Sequence, residues 1–404
     1  WLPGTVTYLT RADWNTFPAP VKDVELTAEM KAVIENDAFI TPDNAPAYTD
    51  FAIEQDHGIK FADMIGVAYD DPKWELFLDQ LTLQPPPSLT ADNSAQPATD
   101  PASKPPNATS DGPAGPQGNY RFGEKYATTV HVGEVVAAAT WNIDLVAQRG
   151  SFIGEDCLFV GTTQLWSPGA DLHRTPFSGR NFEYYSEDSV LSYLMSAAQT
   201  CAMQAKGVNA AIKHFVGNDQ ETNRTGLYTF ATEQGFRQNS LKGFEGAFTK
   251  GGALGTMMST NRIGLETMYQ NAATCTGVLR DEWGFRGFTL TDYFAGFGYQ
   301  NADQEIRNGG DAMLATMDVT NHVTSKSATS LKAMRTAAHN ILYTAVNSWQ
   351  YENGEPKTEL PIWQTGMWIG IAVVFVLFIG LEVVTIRRFM ARRKPAVEVI
   401  ASEK

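Results

Sequence analysis

Apolar and β-branched runs recur at 160–166, 209–215, 253–259, 287–291 and 311–315, each short. Runs of that length predict strands buried on both faces. Between them lie longer stretches with helical periodicity, at 132–149, 186–206, 232–249, 274–283, 301–308 and 328–348. Strands alternating with helices predict a parallel sheet, and this many units in one region predicts a (β/α)8 TIM-like barrel, complete or incomplete, rather than an open doubly wound sheet. No Gly-x-Gly-x-x-Gly follows a strand, which weakens a dinucleotide-binding alternative. A shorter amphipathic helix is predicted over 71–82, opened by Asp71-Pro72.

Two regions break the alternation. Residues 84–110 are rich in Pro, Ser, Thr, Ala and Asp and cannot bury a core, so they read as loop. Residues 362–381 carry no charge at all and match the roughly 20 residues that cross a hydrocarbon core of about 30 Å. Trp363 and Trp368 lie at the first end of this run, and Arg387, Arg388, Arg392, Arg393 and Lys394 follow the other end. Aromatic residues favour the interface and basic residues the cytoplasmic side, so the pattern predicts a single-pass helix at 362–386 in the lipid bilayer of the cell membrane. The preceding domain is then extracellular and the C-terminus cytoplasmic. The expected organisation is a linker or the tail of an upstream domain at 1–55, with one helical pattern from Leu26 to Glu35, a barrel at 56–348, a juxtamembrane linker at 349–361, the membrane helix, and a basic tail at 387–404.

The chain has 404 residues with a net charge of −14, which argues against a nucleic-acid partner, since phosphates would be repelled. Cys157, Cys201 and Cys275 show no metal-ligand or disulfide spacing and read as small buried hydrophobes. The chain begins at Trp1 without a visible signal peptide, and we expect it to be the later portion of something longer.

The candidate chemistry sits where apolar runs end. Asp292 closes the run 287–291 with Tyr293 beside it, and Lys213-His214 closes Ala210-Ala211-Ile212. In a parallel barrel those strand ends floor the active site. Asp292 could act as a nucleophile on a sugar C1 or could cap the following helix. Tyr293 could stack on a sugar face. Lys213 and His214 could donate to hydroxyls, although a surface Lys beside a core His is the commoner arrangement. Arg180, with Glu183, Glu187 and Asp188 nearby, could hold hydroxyls or belong to a solvated charged loop. Asp111, in Asp111-Gly112-Pro113-Ala114-Gly115, reads first as a turn. Asn218, Asp219, Gln220, Glu221 and Arg224 form a polar loop after the Lys-His pair.

Taken in order, these blocks resemble glycoside hydrolase family 3, the β-glucosidase-like retaining exo-glycosidases. The resemblance rests on Asp-Gly-Pro-Ala-Gly at 111–115, Pro-Gly-Ala-Asp-Leu-His-Arg-Thr-Pro at 168–176, the block 179–188, Lys-His-Phe at 213–215 and Thr-Asp-Tyr at 291–293, and it spans roughly 60–345. It implies Asp292 as nucleophile, with Asp111, Arg180, Lys213 and His214 holding the sugar and Tyr293 beside it. It implies a β-glycoside or oligosaccharide substrate and no metal or organic cofactor. Family members with an α/β sandwich domain ahead of the barrel would explain a barrel followed only by an anchor. The family's acid/base is usually a Glu of the second domain or its loops, and no such domain is visible here. Thr260 stands where the family commonly has an aromatic residue, and the extra His of the family's N-acetylglucosaminidases is missing. The alternatives are a catalytically impaired membrane-anchored carbohydrate-binding protein or a β-N-acetylhexosaminidase.

Overall fold

A computed structural model describes residues 12, 15–16, 25–36, 52–81, 95–96, 107–117, 120–121, 124–125, 128–293, 300–314, 323–325, 327–354 and 362–392. Most of 1–55 and of 84–110, the linker 355–361 and the tail beyond 392 lie outside the described residues. The chain divides into two units, Trp1–Pro356 and Lys357–Lys404.

The first unit is built on seven strands: β1 (Ala95–Gln96), β2 (Asn107–Asp111), β3 (Gln164–Trp166), β4 (Asn209–Phe215), β5 (Gly255–Met258), β6 (Phe288–Tyr293) and β7 (Ala312–Leu314). They pair in strict sequence order, β1 through β7. β1 is antiparallel to β2, and every later pair is parallel. The order never reverses, so there is no switch point of the kind that defines a doubly wound sheet. The strands form a curled, half-barrel sheet, and among the described residues no pairing joins β7 back to β1.

Helices at Ile143–Val160, Ser189–Gln204, Ser240–Thr249, Ala273–Glu282, Ala302–Arg307 and Ala328–Val346 fill the crossovers and the end of the unit. Alternate residues of β4 and β5 enter different apolar clusters. Ala210, Ile212 and Met258 join Ile153, Met203, Phe244 and Val278. Ala211 and Met257 instead join Phe61, Trp74, Phe288, Leu290 and Ile341. Side chains alternate across a strand, so the sheet is apolar on both faces, which is why its strands read as unbroken runs rather than as alternation.

The structure departs from the sequence expectations at several boundaries. Val160 ends a helix rather than starting a strand; Gly161 follows it at φ 81°, the left-handed conformation that closes a helix and that glycine adopts without a Cβ clash. The expected helix 132–149 is two helices, Glu134–Ala138 and Ile143–Val160, because Asn142 Oδ1 accepts the N–H of Leu145 and caps a new start. Residues expected to be loop at 84–110 include β1 and most of β2. The helix expected over 71–82 is confined to Lys73–Leu78. Cys157 and Cys275 are buried as expected, whereas Cys201 is exposed.

In the second unit a single helix runs from Ile362 to Arg392, 31 residues. By length and composition it is apolar enough to cross a membrane, and it continues through Arg387, Arg388 and Arg392, which the sequence had suggested as tail. Thr385 returns its hydroxyl to Leu381 O at 2.8 Å, so this polar group is satisfied inside the helix.

Candidate active site

Register brings the strand ends together. Asp111 pairs with Trp166 at the last positions of β2 and β3, while Phe215 and Thr291 both pair with Met258, the last residue of β5. Asp111, Lys213, His214 and Asp292 therefore occupy one rim, at the carboxyl ends of β2, β4 and β6.

Asp111 is set by a tight turn. Gly112 has φ 147°, and a Cβ there would lie 1.7 Å from Gly115 O. Only glycine lets the backbone close so near to itself. The Asp111 side chain is half exposed, and its Oδ1 accepts from Lys213 Nζ at 2.6 Å. The Lys213 side chain is only 2% exposed. A lysine so buried needs counter-charge, and it has a second one in Glu183 Oε2 at 3.7 Å. Glu183 also accepts from Arg180 Nε, and Arg180 Nη1 reaches Glu221 Oε1 at 3.5 Å. Glu221 lies 3.5 Å from Arg224 Nη1 through its other oxygen, and Arg224 Nη1 donates to Asp292 Oδ2 at 3.1 Å. Acid and base thus alternate without a break from Asp111 to Asp292.

His214 lies beside this chain, fully buried. Burial, then the neighbouring Arg180, Lys213 and Arg224 charges, push its imidazole well below the ordinary range, so the ring is neutral at physiological pH. The hydrogen bonds fix which nitrogen keeps the proton. Asn218 Nδ2 donates to Tyr184 Oη at 3.0 Å, and Tyr184 Oη lies 3.1 Å from His214 Nδ1. Burial holds the Tyr184 phenol well above its usual pKa, so it stays protonated and donates to Nδ1. The His214 proton therefore sits on Nε2, 3.8 Å from Asp292 Oδ2.

Asp292 is 7% exposed, near the end of β6. Its Oδ1 accepts the backbone N–H of Tyr293 at 2.6 Å. What Tyr293 gives Asp292 is this N–H; its side chain is 40% exposed at the rim. A buried carboxylate with both oxygens held in place is a fixed, pre-oriented acceptor, and the surrounding Lys, Arg and neutral His donors suit a polyhydroxylated neutral molecule.

Several neighbours carry only a partial signal in the linear sequence. Asp171, 1% exposed, accepts from the backbone N–H groups of His214 at 2.7 Å, Gly217 at 3.1 Å and Asn218 at 2.9 Å. It therefore shapes the turn after β4, where the Lys213–His214 and Phe215–Val216 peptide bonds are both cis. Burial pushes the Asp171 carboxyl up to about 8, against the N–H bonds from His214 and Asn218. Its motif, 168–176, was visible in the sequence, but its contacts to backbone forty residues away were not. Glu221 and Arg224 were visible only as a polar loop. Thr260, just beyond β5, is buried. Among the described residues no cluster of His, Cys, Asp or Glu is arranged to hold a metal ion.

The chain is similar to known proteins in both sequence and fold. Residues 118–345 match the model of the glycosyl hydrolase family 3 N terminal domain. The chain is 35% identical over 215 residues to a beta-glucosidase of Ruminococcus albus, covering 53% of this chain and 22% of that protein. It is 33% identical over 219 residues to a beta-glucosidase of Rhizobium radiobacter, 54% of this chain and 27% of the relative. The structure resembles beta-glucosidase 3B from Thermotoga neapolitana in complex with glucose, with a TM-score of 0.62 at 30% identity, over 70% of this chain and 43% of that one. It also resembles a beta-glucosidase from Paenibacillus barengoltzii, with a TM-score of 0.65 at 28% identity, over 84% of this chain and 38% of the other. The chain thus spans about a quarter of the length of these curated relatives. With more than half of its residues matched by the family model, the chain belongs to glycosyl hydrolase family 3, of which it carries the N-terminal domain.

Proposed function

We propose that this chain carries the catalytic barrel of a membrane-anchored, retaining exo-β-glycosidase acting on terminal β-linked glucose. The observation that carries the reading is the convergence of Asp292, His214, Lys213, Arg180 and Asp111 on one rim, joined by unbroken polar contacts. Asp292 attacks C1 of the sugar through an oxocarbenium-like transition state and forms a covalent glycosyl–enzyme, which water then hydrolyses. Asp111 accepts from sugar hydroxyls, Lys213 and Arg180 donate to them, and His214 donates from Nε2. Tyr293 lines the rim. In this reading the six parallel strands belong to an eight-fold barrel, and an α/β sandwich domain upstream supplies the acid/base carboxyl.

The anchor is part of the proposal. The helix Ile362–Arg392 is apolar through its middle and basic at its end, which supports a single-pass membrane orientation with the barrel outside and the C-terminus in the cytoplasm.

The test is intact mass after incubation with a 2-deoxy-2-fluoro glucoside bearing an activated aryl leaving group. Such a leaving group needs little acid assistance, so the experiment reports Asp292 whichever residue donates the proton. A stable mass gain in the wild type and none in Asp292→Ala supports the reading. Sugar binding without any adduct would make the protein a carbohydrate-binding relative instead.

A further inference from the structure

Glu221 and Arg224 take no chemical role in the function proposed above, yet both touch it. They lie on the loop between β4 and the helix Glu233–Gln238, which is pinned at several points. Glu221 N donates to Ser178 O at 2.9 Å, Arg224 N donates to Glu221 O at 3.2 Å, and Asn218 Nδ2 donates to Glu221 Oε1 at 3.0 Å. Asn223, between the two, has φ 56°, a left-handed turn that asparagine tolerates. This turn brings Glu221 and Arg224 together as an ion pair three residues apart.

The pair joins two parts of the site. One Glu221 oxygen faces Arg180, on the sugar-holding side, and the other faces Arg224. Arg224 Nη1 in turn holds Asp292 Oδ2 at 3.1 Å, while the other oxygen of Asp292 is taken by the Tyr293 N–H at 2.6 Å. A carboxylate with only the backbone contact could still swing about its Cβ–Cγ bond. Arg224 removes that freedom, because His214 Nε2 at 3.8 Å is beyond hydrogen-bond range. Attack on a sugar carbon depends on the reacting oxygen being aimed before the substrate arrives.

We propose that Arg224 is a positioning residue that aims the Asp292 carboxylate, and that Glu221 ties this aim to Arg180 and so to occupancy of the sugar site. The inference rests on the reading of Asp292 as nucleophile. Arg224 acts through Asp292, whose Oδ2 its Nη1 holds. Its side chain is 25% exposed, so a small cation can reach the space it would leave.

The experiment uses the full chain and the same fluoro glucoside, now with adduct formation followed over time at several concentrations. This separates the trapping rate from the half-saturating concentration. Loss of one hydrogen bond to a charged partner predicts that Arg224→Ala lowers the trapping rate by about 30-fold, with half-saturation nearly unchanged. Millimolar guanidinium restores much of that rate, and sodium chloride at equal ionic strength does not. Arg224→Lys falls between, because ammonium supplies the charge without the planar fork. Glu221→Gln changes both rate and half-saturation, because it loosens Arg180 as well.

A trapping rate in Arg224→Ala within about threefold of wild type overturns the inference, since that is no more than the effect of a surface change. Loss of rate with a lowered melting temperature and no guanidinium response also overturns it, and makes the pair a structural strap. If the wild type forms no adduct, the nucleophile reading fails first and the positioning role falls with it. If the wild type is labelled and Arg224→Ala is labelled as fast, only the positioning role falls.

Discussion

Replacing Lys213 by Met keeps most of the buried stem and removes the charge, which isolates the ion pair with Asp111. Breaking a fully buried pair usually costs about 3–5 kcal/mol, because the remaining charge is left without water or partner. Here neither partner is stranded. The Asp111 side chain is 50% exposed and takes up water when the lysine goes. Glu183 keeps Arg180. The expected cost of Lys213→Met is therefore lower, about 2 kcal/mol, close to the value of one charge-assisted hydrogen bond. Asp111→Asn keeps an acceptor oxygen in place and is expected to cost under about 1 kcal/mol, leaving Lys213 paired with Glu183 at 3.7 Å. The assay is urea unfolding followed by tryptophan fluorescence for the wild type, both single variants and the double variant. A coupling energy of about 0.5–1 kcal/mol is expected from the cycle, since Asp111→Asn costs under about 1 kcal/mol beside the lysine and almost nothing without it. A coupling below about 0.5 kcal/mol, or Asp111→Asn costing more than Lys213→Met, would refute the argument that Lys213 depends on Asp111 for its charge.

Two further outcomes follow from the same geometry. Gly112→Ala places a methyl 1.7 Å from Gly115 O in a backbone conformation that favours glycine, so unfolding should shift by about 3 kcal/mol or more and sugar binding should be lost with it. Glu134 is fully buried, bonded to the N–H of Gly169 at 2.8 Å, and its carboxyl is raised to about 8 by burial, against the pull of Arg149 and that N–H. Between about 4.5 and 8 the folded state thus holds a proton that the unfolded chain releases, so this group's contribution is full below the unfolded value and is lost as pH rises through 8. Melting temperatures should accordingly fall between pH 5 and pH 8 on the order of several degrees more in the wild type than in Glu134→Gln; parallel profiles would contradict it.

The strands were legible where burial on both faces left a short run of apolar residues, as at Ala210-Ala211-Ile212 within β4. They were illegible where a helix end and a strand start share one run. Val160 and Gln164 lie within a single stretch of hydrophobic and small residues, and only the left-handed Gly161 divides them. The site was legible where charge interrupts such a run, at Lys213-His214 and Asp292. It was less so at Asp111, whose strand, Asn107–Asp111, is composed of residues that favour loops and is held by pairing with β3. Asp171 and Tyr184 were illegible because their work is done on atoms distant in sequence: a backbone N–H at 214 and a ring nitrogen at 214. Glu221 and Arg224 were present as a charged cluster, but a cluster on a loop does not disclose which strand end it reaches.

The consecutive strand order has a consequence for how this domain is made. A chain leaving the ribosome N-terminus first always offers its newest strand an edge that the previous strand has just supplied, so each unit can dock without waiting for a distant partner. The loop carrying Arg224 is the exception. It is synthesised directly after β4 but closes on Asp292, which arrives two strands later. Until β6 docks, Arg224 has no Asp292 to bind, so the rim is assembled from its Asp111–Lys213 side and the Asp292 carboxylate is the last of its charges to be delivered.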